Sequence, residues 1–319
     1  MISDKSRLVL RINELFHDIE QADYDDKHAD IFVDEKERWE RFGENFLKHN
    51  ENAITVLDIG SGTGFVPMNL AQYLKKKDTF ICSDISENIL NVCRDKMSRE
   101  KFDCTFVFQK TNGLDLNLPK ESINFVTMNS VLHHVPDINR FLEGINKTLK
   151  KGGKIIIGHE PNRLFLDNKF LWKNSRFFYF LTHPKNITID AAKKIGFFSL
   201  IRKLYLGLVK KDGKHEAMIK KINDQLIYEK MINSPLTAEE IFELIDIHSP
   251  TAGGTHKSKG IDIKEIASEF DNLEIESLET YDHLLRTNSP KNILRKYSAY
   301  LAQKYPLEGS KFFVILNKK

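Results

Sequence analysis

Short apolar runs alternate with amphipathic stretches between residues 53 and 160. The run 53–59 suits a buried strand, and 67–76 places Leu70, Ala71 and Leu74 on one helical face. A second strand is predicted over 79–83. Ser86 stands where an N-cap belongs, ahead of a helix over 87–97 with Ile89, Leu90 and Cys93 turned inward. Strands over 104–108, 123–128 and 154–158 follow. Asp137 caps a helix over 138–149 that Gly152-Gly153 closes. Five strand–helix alternations of this length predict a doubly wound α/β sheet with right-handed crossovers. Farther on, a helix near 263–270, a strand over 273–279, a helix near 293–303 and a strand over 311–316 resume the pattern. No internal repeat is visible. The chain divides into a polar helical segment (1–52), the sheet core (53–162), a mainly helical insertion (163–260) and a closing segment that completes the sheet (261–319).

Composition narrows the class. With 319 residues, 41% hydrophobic and 29% charged, and only 9 prolines and 16 glycines, collagen and disordered chains are excluded. No uninterrupted apolar run is long enough to span a bilayer. Met1-Ile2-Ser3-Asp4-Lys5 lacks the charged-then-apolar pattern of a signal peptide, so a cytoplasmic protein is expected. Cys82, Cys93 and Cys104 form no CxxC pair and read as small buried apolar residues.

The net charge of +3 conceals an asymmetry. Residues 1–52 hold 8 Lys/Arg against 14 Asp/Glu, whereas 163–222 hold 14 against 4 together with ten aromatics. That basic, aromatic stretch admits three readings. It is a helical cap whose core is Phe177, Phe178, Phe180, Phe197, Phe198 and Leu204, or a face for a membrane surface or lipid-like ligand. In the third reading it binds an anionic polymer or peptide.

The densest chemical signal is Val56-Leu57-Asp58-Ile59-Gly60-Ser61-Gly62-Thr63-Gly64, a strand running into a glycine turn and then a helix. Such a turn lets the backbone approach a ligand closely at the carboxyl end of the strand. The dinucleotide spelling G-x-G-x-x-G fails, because Phe65 occupies its third glycine position, and no phosphate-loop spelling is present. Twenty residues after Gly64, Asp84 ends the second strand; a carboxylate there can accept both hydrogens of a vicinal diol. Leu118-Pro119, then Ser130-Val131-Leu132-His133-His134-Val135-Pro136-Asp137, then Leu149-Lys150-Lys151-Gly152-Gly153 follow in order.

This series resembles the class I S-adenosylmethionine (SAM) dependent methyltransferases over 53–162, with the terminal strand pair expected at 273–316. The resemblance implies a Rossmann-like seven-stranded sheet, mostly parallel with an antiparallel last strand, carrying a helical cap insertion. It also implies SAM as cofactor and S-adenosylhomocysteine as product. Gly60, Ser61, Gly62 and Gly64 are then expected along the methionine and ribose, and Asp58 at the loop or the methionine ammonium. Asp84 is expected at the ribose, Ile85 against the adenine, and Asn129 near the ammonium through its backbone. Where the family often has an adenine-binding Asp, this chain has Gln109-Lys110-Thr111-Asn112-Gly113, which puts Asn112 and Gly113 beside the adenine. Ala22-Asp23-Tyr24-Asp25-Asp26-Lys27-His28 resembles the family's Y-D-x-x-H lid, implying that Tyr24 and His28 close over the cofactor.

Methyl transfer from a sulfonium needs in-line alignment above all. A hydroxyl or amine nucleophile must also lose a proton, which histidine accepts near neutral pH. The candidate bases are His133, His159 and His248, with His134 expected to be the more structural, cofactor-side member of its pair. Asp246, His248 and His256 bring polar groups into the loop after the insertion, but without metal-site spacing, and no metal is expected. The chain has Asn129-Ser130-Val131-Leu132 where nucleic-acid amine methyltransferases carry [DNS]-P-P-[FYW], and it has no Pro-Cys dipeptide. The expected acceptor is therefore a small or lipid-like molecule methylated at oxygen or nitrogen, with peripheral membrane contact through 163–222. The alternatives are carbon methylation of a quinone or lipid, peptide carboxyl methylation, and a SAM-binding protein without turnover.

Overall fold

The computed structural model describes residues 3–21, 35–182, 213–248, 260–284 and 292–319. Seven strands form one sheet in the order β3-β2-β1-β4-β5-β7-β6. They are β1 (Thr55–Ile59), β2 (Thr79–Asp84), β3 (Thr105–Lys110), β4 (Ile123–Asn129), β5 (Leu149–Pro161), β6 (Leu273–Tyr281) and β7 (Lys311–Lys318). The first five pair in parallel. At the other edge the chain reverses. The Lys319 N–H donates to the Asn272 carbonyl at 2.9 Å and the Ser310 N–H to the Asp282 carbonyl at 3.4 Å, so β6 and β7 run antiparallel. This is the doubly wound architecture anticipated above. Strand order reverses outward from β1 and β4, and open sheets of this kind bind ligands at that switch point.

Local chemistry explains the helices that flank the switch. The Ser86 hydroxyl accepts the Ile89 N–H at 3.1 Å and starts α4 (Glu87–Arg99), which buries Ile89, Leu90, Cys93 and Met97. Asp137 caps α5 (Ile138–Thr148) through the Arg140 N–H, burying Phe141, Leu142 and Ile145. The helix predicted over 67–76 is shorter. α3 (Phe65–Leu70) passes into a 3-10 turn (Ala71–Tyr73) and Leu74 is already extended. The Asp78 carboxylate accepts the N–H groups of Lys75 and Ile54 at 2.7 and 3.0 Å, drawing the chain out of the helix toward β1.

Gly152-Gly153 does not close α5 from outside. It lies within β5, where the register against β4 jumps from Ile123↔Leu149 to Phe125↔Lys154. A Cβ on Gly153 would stand 2.9 Å from the Asn124 carbonyl, so the bulge needs glycine there. Cys82, Cys93 and Cys104 are free thiols and buried, as read from the sequence.

The chain splits into two compact units: Met1–Pro161 with Glu239–Glu279 and Phe312–Lys319, and Asn162–Ala238 with Thr280–Lys311. The second unit groups 162–238 with 280–311, where the sequence reading places an insertion over 163–260. The second unit has its own apolar centre, Phe165, Leu171, Leu284 and Leu301. These residues bring α7 (Lys169–Thr182) together with α11 (Asn292–Lys304). That pairing spans over a hundred residues of sequence, so local periodicity could not announce it. Its other described helices are α6 (Arg163–Asp167) and α8 (Gly213–Tyr228). The sheet unit also contains α1 (Asp4–Glu20), α2 (35–42, continued by a π-turn Gly43–Leu47), α9 (Ala238–Ile245, from its second residue) and α10 (Ile263–Ser268).

Candidate functional site

Strands β1 and β4 each leave the sheet through a residue with left-handed backbone, Gly60 at φ 70° and Ser130 at φ 63°, and the neighbouring β5 holds a third near its end, His159 at φ 58°. Two of the three are not glycine, and such conformations persist where the surroundings impose them. The strand ends thereby share one rim, and on it opens a cleft. Its polar walls include Gly60, Gly62, Asp84, Asn112, Asn129 and His134; Ile85, Ile89, Val131 and Phe141 form apolar walls.

The glycines of the turn divide their work. Gly60, Gly62 and Gly64 all have positive φ, but only the first two line the cleft. A Cβ on Gly64 would stand 3.1 Å from both Cys93 Sγ and Met97 Cε, so this glycine lets α4 pack against the turn. Gly113 (φ 74°) is likewise a packing position, because a Cβ there would meet the Phe141 ring at 2.4 Å. Ser61 is buried and ties strands together: its hydroxyl donates to the Asp58 carbonyl, and its N–H to the Ser83 carbonyl at 2.9 Å. Neither Gly64, Gly113 nor Ser61 lines the cleft, contrary to the sequence expectation.

Asp84 is buried at the cleft wall. Its Oδ2 accepts the Gly62 N–H at 2.9 Å and its Oδ1 the Ser86 N–H at 3.0 Å, leaving each oxygen a lone pair. Burial pushes its carboxyl up to about 6, against the lowering by those amides. Asp58 lies behind the turn, outside the cleft wall. Burial raises it to about 7; Oδ1 accepts the Thr127 hydroxyl at 2.7 Å, and Oδ2 is buried with no hydrogen-bond partner.

Asn112 lines the cleft, but its carbonyl oxygen accepts the N–H groups of Leu114 and Asp115 at 3.0 and 3.2 Å. Both lone pairs are spent on the loop, so the adenine contact expected of that oxygen is unavailable. Asn129 Oδ1 accepts the Trp39 Nε1–H at 3.0 Å, which fixes the end of β4.

Three cleft residues come from α1 and escaped the sequence reading: Leu10, Asn13 and His17. Their 3 and 4 residue spacing on one helical face was the available signal. Asn13 donates from Nδ2 to the Val9 carbonyl at 3.0 Å, which settles its amide orientation, while its Oδ1 is buried without a partner.

The histidines gather around a turn after β4. Glu160, fully buried on β5, accepts the N–H groups of Val131 (2.5 Å), Leu132 (2.7 Å) and His133 (3.2 Å). It also accepts His133 Nδ1–H at 2.8 Å. This carboxylate, named in no role from the sequence, nails down the turn whose Val131, His134 and Val135 line the cleft. His133 is thereby held off the wall and His134 faces it, reversing the expected division between them. The Ile245 carbonyl stands 2.8 Å from His134 Nδ1 and Asp246 Oδ1 3.2 Å from it. A carbonyl only accepts, so Nδ1 carries the hydrogen and Nε2 keeps the lone pair.

His248 is likewise structural: its N–H donates to the His133 carbonyl and its Nε2–H to the Val135 carbonyl, both at 3.1 Å. Burial lowers its pKa, keeping it neutral. His159 is buried with Nδ1 3.2 Å from Glu35 Oε1. Neither His248 nor His159 lines the cleft. The ligating atoms of His133, His134 and Asp246 lie within 4.8 Å of one another, close enough to share a divalent ion. His133 Nε2 stands 3.6 Å from Asp246 Oδ1. Tyr24, His28 and His256 lie outside the described residues.

The donor and acceptor set suits a nucleoside with a cationic amino-acid tail. It offers a glycine cradle without Cβ atoms, a carboxylate with spare lone pairs for a diol, apolar walls for a base, and an orphaned oxygen on Asn13.

Residues 57–157 match the family profile described as "Methyltransferase domain". The chain is 26% identical over 153 residues to the ubiquinone/menaquinone biosynthesis C-methyltransferase UbiE of Vibrio vulnificus (strain YJ016), covering 48% of this chain and 58% of that protein. It is 28% identical over 151 residues to the demethylmenaquinone methyltransferase of Lactococcus lactis subsp. lactis (strain IL1403), covering 46% and 57%. The chain thus spans a little over half the length of these curated relatives. Among solved structures, a SAM-dependent methyltransferase from Methanosarcina mazei aligns over 85% of this chain and 94% of its own, at 17% identity and a TM-score of 0.42. A likeness at that level leaves the case to the strand order, the cleft and the domain match. Residues 57–157 therefore carry a methyltransferase domain, on a sheet whose strand order is the one expected from the resemblance to class I S-adenosylmethionine-dependent methyltransferases.

Proposed function

We propose that this chain transfers a methyl group to a small or lipid-like acceptor carrying an ionisable hydroxyl or amine. The observation that carries the proposal is the single cleft wall joining Gly60, Gly62 and Asp84 to the imidazole of His134. When bound there, SAM supplies an electrophilic methyl on a sulfonium. Asp84 accepts the ribose hydroxyls through its remaining lone pairs, and Ile85 and Ile89 pack against the base. Asn13 Oδ1 accepts an N–H of the cofactor, the role that Asn112 cannot fill. The amino-acid end lies along the turn at Gly60 and the backbone of Asn129.

His134 would take the acceptor's proton on Nε2, while SAM held by Gly60, Gly62 and Asp84 would supply the methyl and leave as S-adenosylhomocysteine, its sulfur–methyl bond broken. Asp246 and the Ile245 carbonyl then stabilise the imidazolium at Nδ1–H. His133 and Glu160 position the turn, and His248 braces it. Deprotonating a phenolic ring enriches its oxygen and the adjacent ring carbons alike, so carbon methylation uses the same base. The names of the quinone-methylating relatives favour that second reading.

The test is methyl-labelled SAM incubated with the protein and a deproteinised cell extract, split into organic and aqueous phases. Label in the organic phase, stable to base, supports a quinone-type or lipid-like acceptor, whereas low-mass aqueous label supports a polar metabolite. Base-labile label on a peptide, or cofactor binding with no transfer into any fraction, would overturn the proposal.

A further inference from the structure

The second unit carries a surface that the methyl-transfer chemistry does not use. α7 and α11 pack through Leu171 and Leu301, with Asn174 Nδ2 donating to the Tyr297 hydroxyl at 2.9 Å. Outward, the pair presents large aromatic side chains to solvent. Phe170 is 51% exposed, Phe177 58% and Tyr300 53%, well beyond what isolated apolar residues on a soluble surface need. The rings are contiguous: Phe177 touches Phe178 (5.4 Å between centroids), Phe178 touches Tyr297 (5.4 Å), and Tyr297 stacks on Tyr300 (6.3 Å). One aromatic strip thus crosses from one helix to the other.

The charges on the same two helices have a single sign. α7 carries Lys169, Lys173 and Arg176, α11 carries Arg295, Lys296 and Lys304, and neither contains an Asp or Glu. Arg176 lies over the Trp172 ring and Lys304 over Tyr305, so the cations and the rings interleave. Along the sequence the acidic residue nearest α7 is Asp167 and the one nearest α11 is Glu308.

We infer that the α7–α11 face docks on an anionic phospholipid surface, the rings entering the headgroup region and the six cations facing lipid phosphates. Charge complementarity picks out the occupant. A neutral apolar partner would leave six cations desolvated; bases of a single strand stack on such rings too, and the test below separates that occupant from lipid. The sequence of α7 includes Phe177-Phe178-Tyr179-Phe180-Leu181, an unbroken apolar run in the most basic part of the chain. Among the described residues no helix is long and apolar enough to cross a membrane, so surface attachment is the mode these helices allow. This inference stands apart from the acceptor's identity.

The test is co-sedimentation of the full chain with phosphatidylcholine vesicles, with and without phosphatidylglycerol. Binding is expected only with phosphatidylglycerol and should weaken with salt. Reversing exposed Lys169, Lys173 or Lys296 to Glu should lower partitioning about five-fold per cation removed. The exposed-site variant Phe170→Ser/Phe177→Ser/Tyr300→Ser should lower it roughly ten-fold or more while helical circular dichroism and the melting curve are retained, which shows that the protein is folded. Vesicle binding indifferent to phosphatidylglycerol, or unchanged by both sets of variants, would overturn the inference. So would a patch that binds single-stranded nucleic acid alone, or one whose substitution shifts the oligomeric state of the free protein.

Discussion

Asp84 joins the cofactor wall to the glycine turn, and its ionisation controls both. Its carboxyl is raised to about 6 in the folded protein, and in the binding mode proposed above hydrogen bonds from ribose hydroxyls favour the charged form. Binding therefore expels a proton. S-Adenosylhomocysteine affinity should tighten as pH rises through about 6, and Asp84→Asn should bind weakly with that pH step gone, as calorimetry at pH 5 and pH 8 would show. Asn13 and His134 separate binding from turnover. Asn13→Leu should weaken the cofactor analogue without unfolding α1. His134→Ala should keep analogue affinity and lower kcat by about 10²-fold or more, the usual contribution of a positioned base. An equal loss in His133→Ala with normal stability would move the base to the other imidazole. Asp84 and the turn glycines were legible in the sequence because their spacing is local. Asn13 was not, because its role depends on a helix laid against the cleft and on an amide oxygen left without a donor.

At the scale of elements, the turn after β4 depends on one carboxylate reaching across from β5. Glu160→Gln exchanges an acceptor oxygen for an NH2 group and strands at least one buried backbone N–H, which costs about 1–3 kcal/mol for each group left unpaired. Its melting temperature should fall and its kcat with it, since His134 rides on the same turn. The glycine turn makes a sharper contrast. Gly64→Ala forces a side chain into left-handed backbone against Cys93 and Met97, costing roughly 1–2 kcal/mol in stability, with analogue affinity of the folded protein unchanged. Gly60→Ala would put a Cβ 2.5 Å from Val131, itself a cleft wall, and should lose affinity as well. Chemical denaturation and analogue titration of both variants would check the division.

At the scale of the whole molecule, two buried carboxyls set a pH dependence. Asp58 and Asp84 both titrate above the usual carboxylate range because burial penalises their charged forms. Between that range and about 7 the folded chain keeps protons that the unfolded chain has released, so their contribution to stability is present in acid, falls as pH rises through this window, and levels off above it. Asp58→Asn should consequently gain stability relative to the native chain at pH 8 and little at pH 5, as melting curves would report. S-Adenosylhomocysteine should raise the melting temperature of the native chain at either pH, because a ligand for the folded state stabilises by mass action.

By itself the sequence determined the strand–helix alternation, the doubly wound sheet, the glycine turn and the carboxylate at the end of β2. Each of these is written in neighbouring residues, through periodicity, capping and backbone freedom. Only the tertiary structure decided which histidine faces the cleft, because that choice belongs to Glu160, 27 residues away from His133. It likewise decided that Gly64 and Gly113 serve packing, that α1 supplies a wall, and that 280–311 pairs with the insertion. Those outcomes rest on side chains brought together from distant positions, where burial and the need to satisfy each polar group select one arrangement among many that local sequence allows.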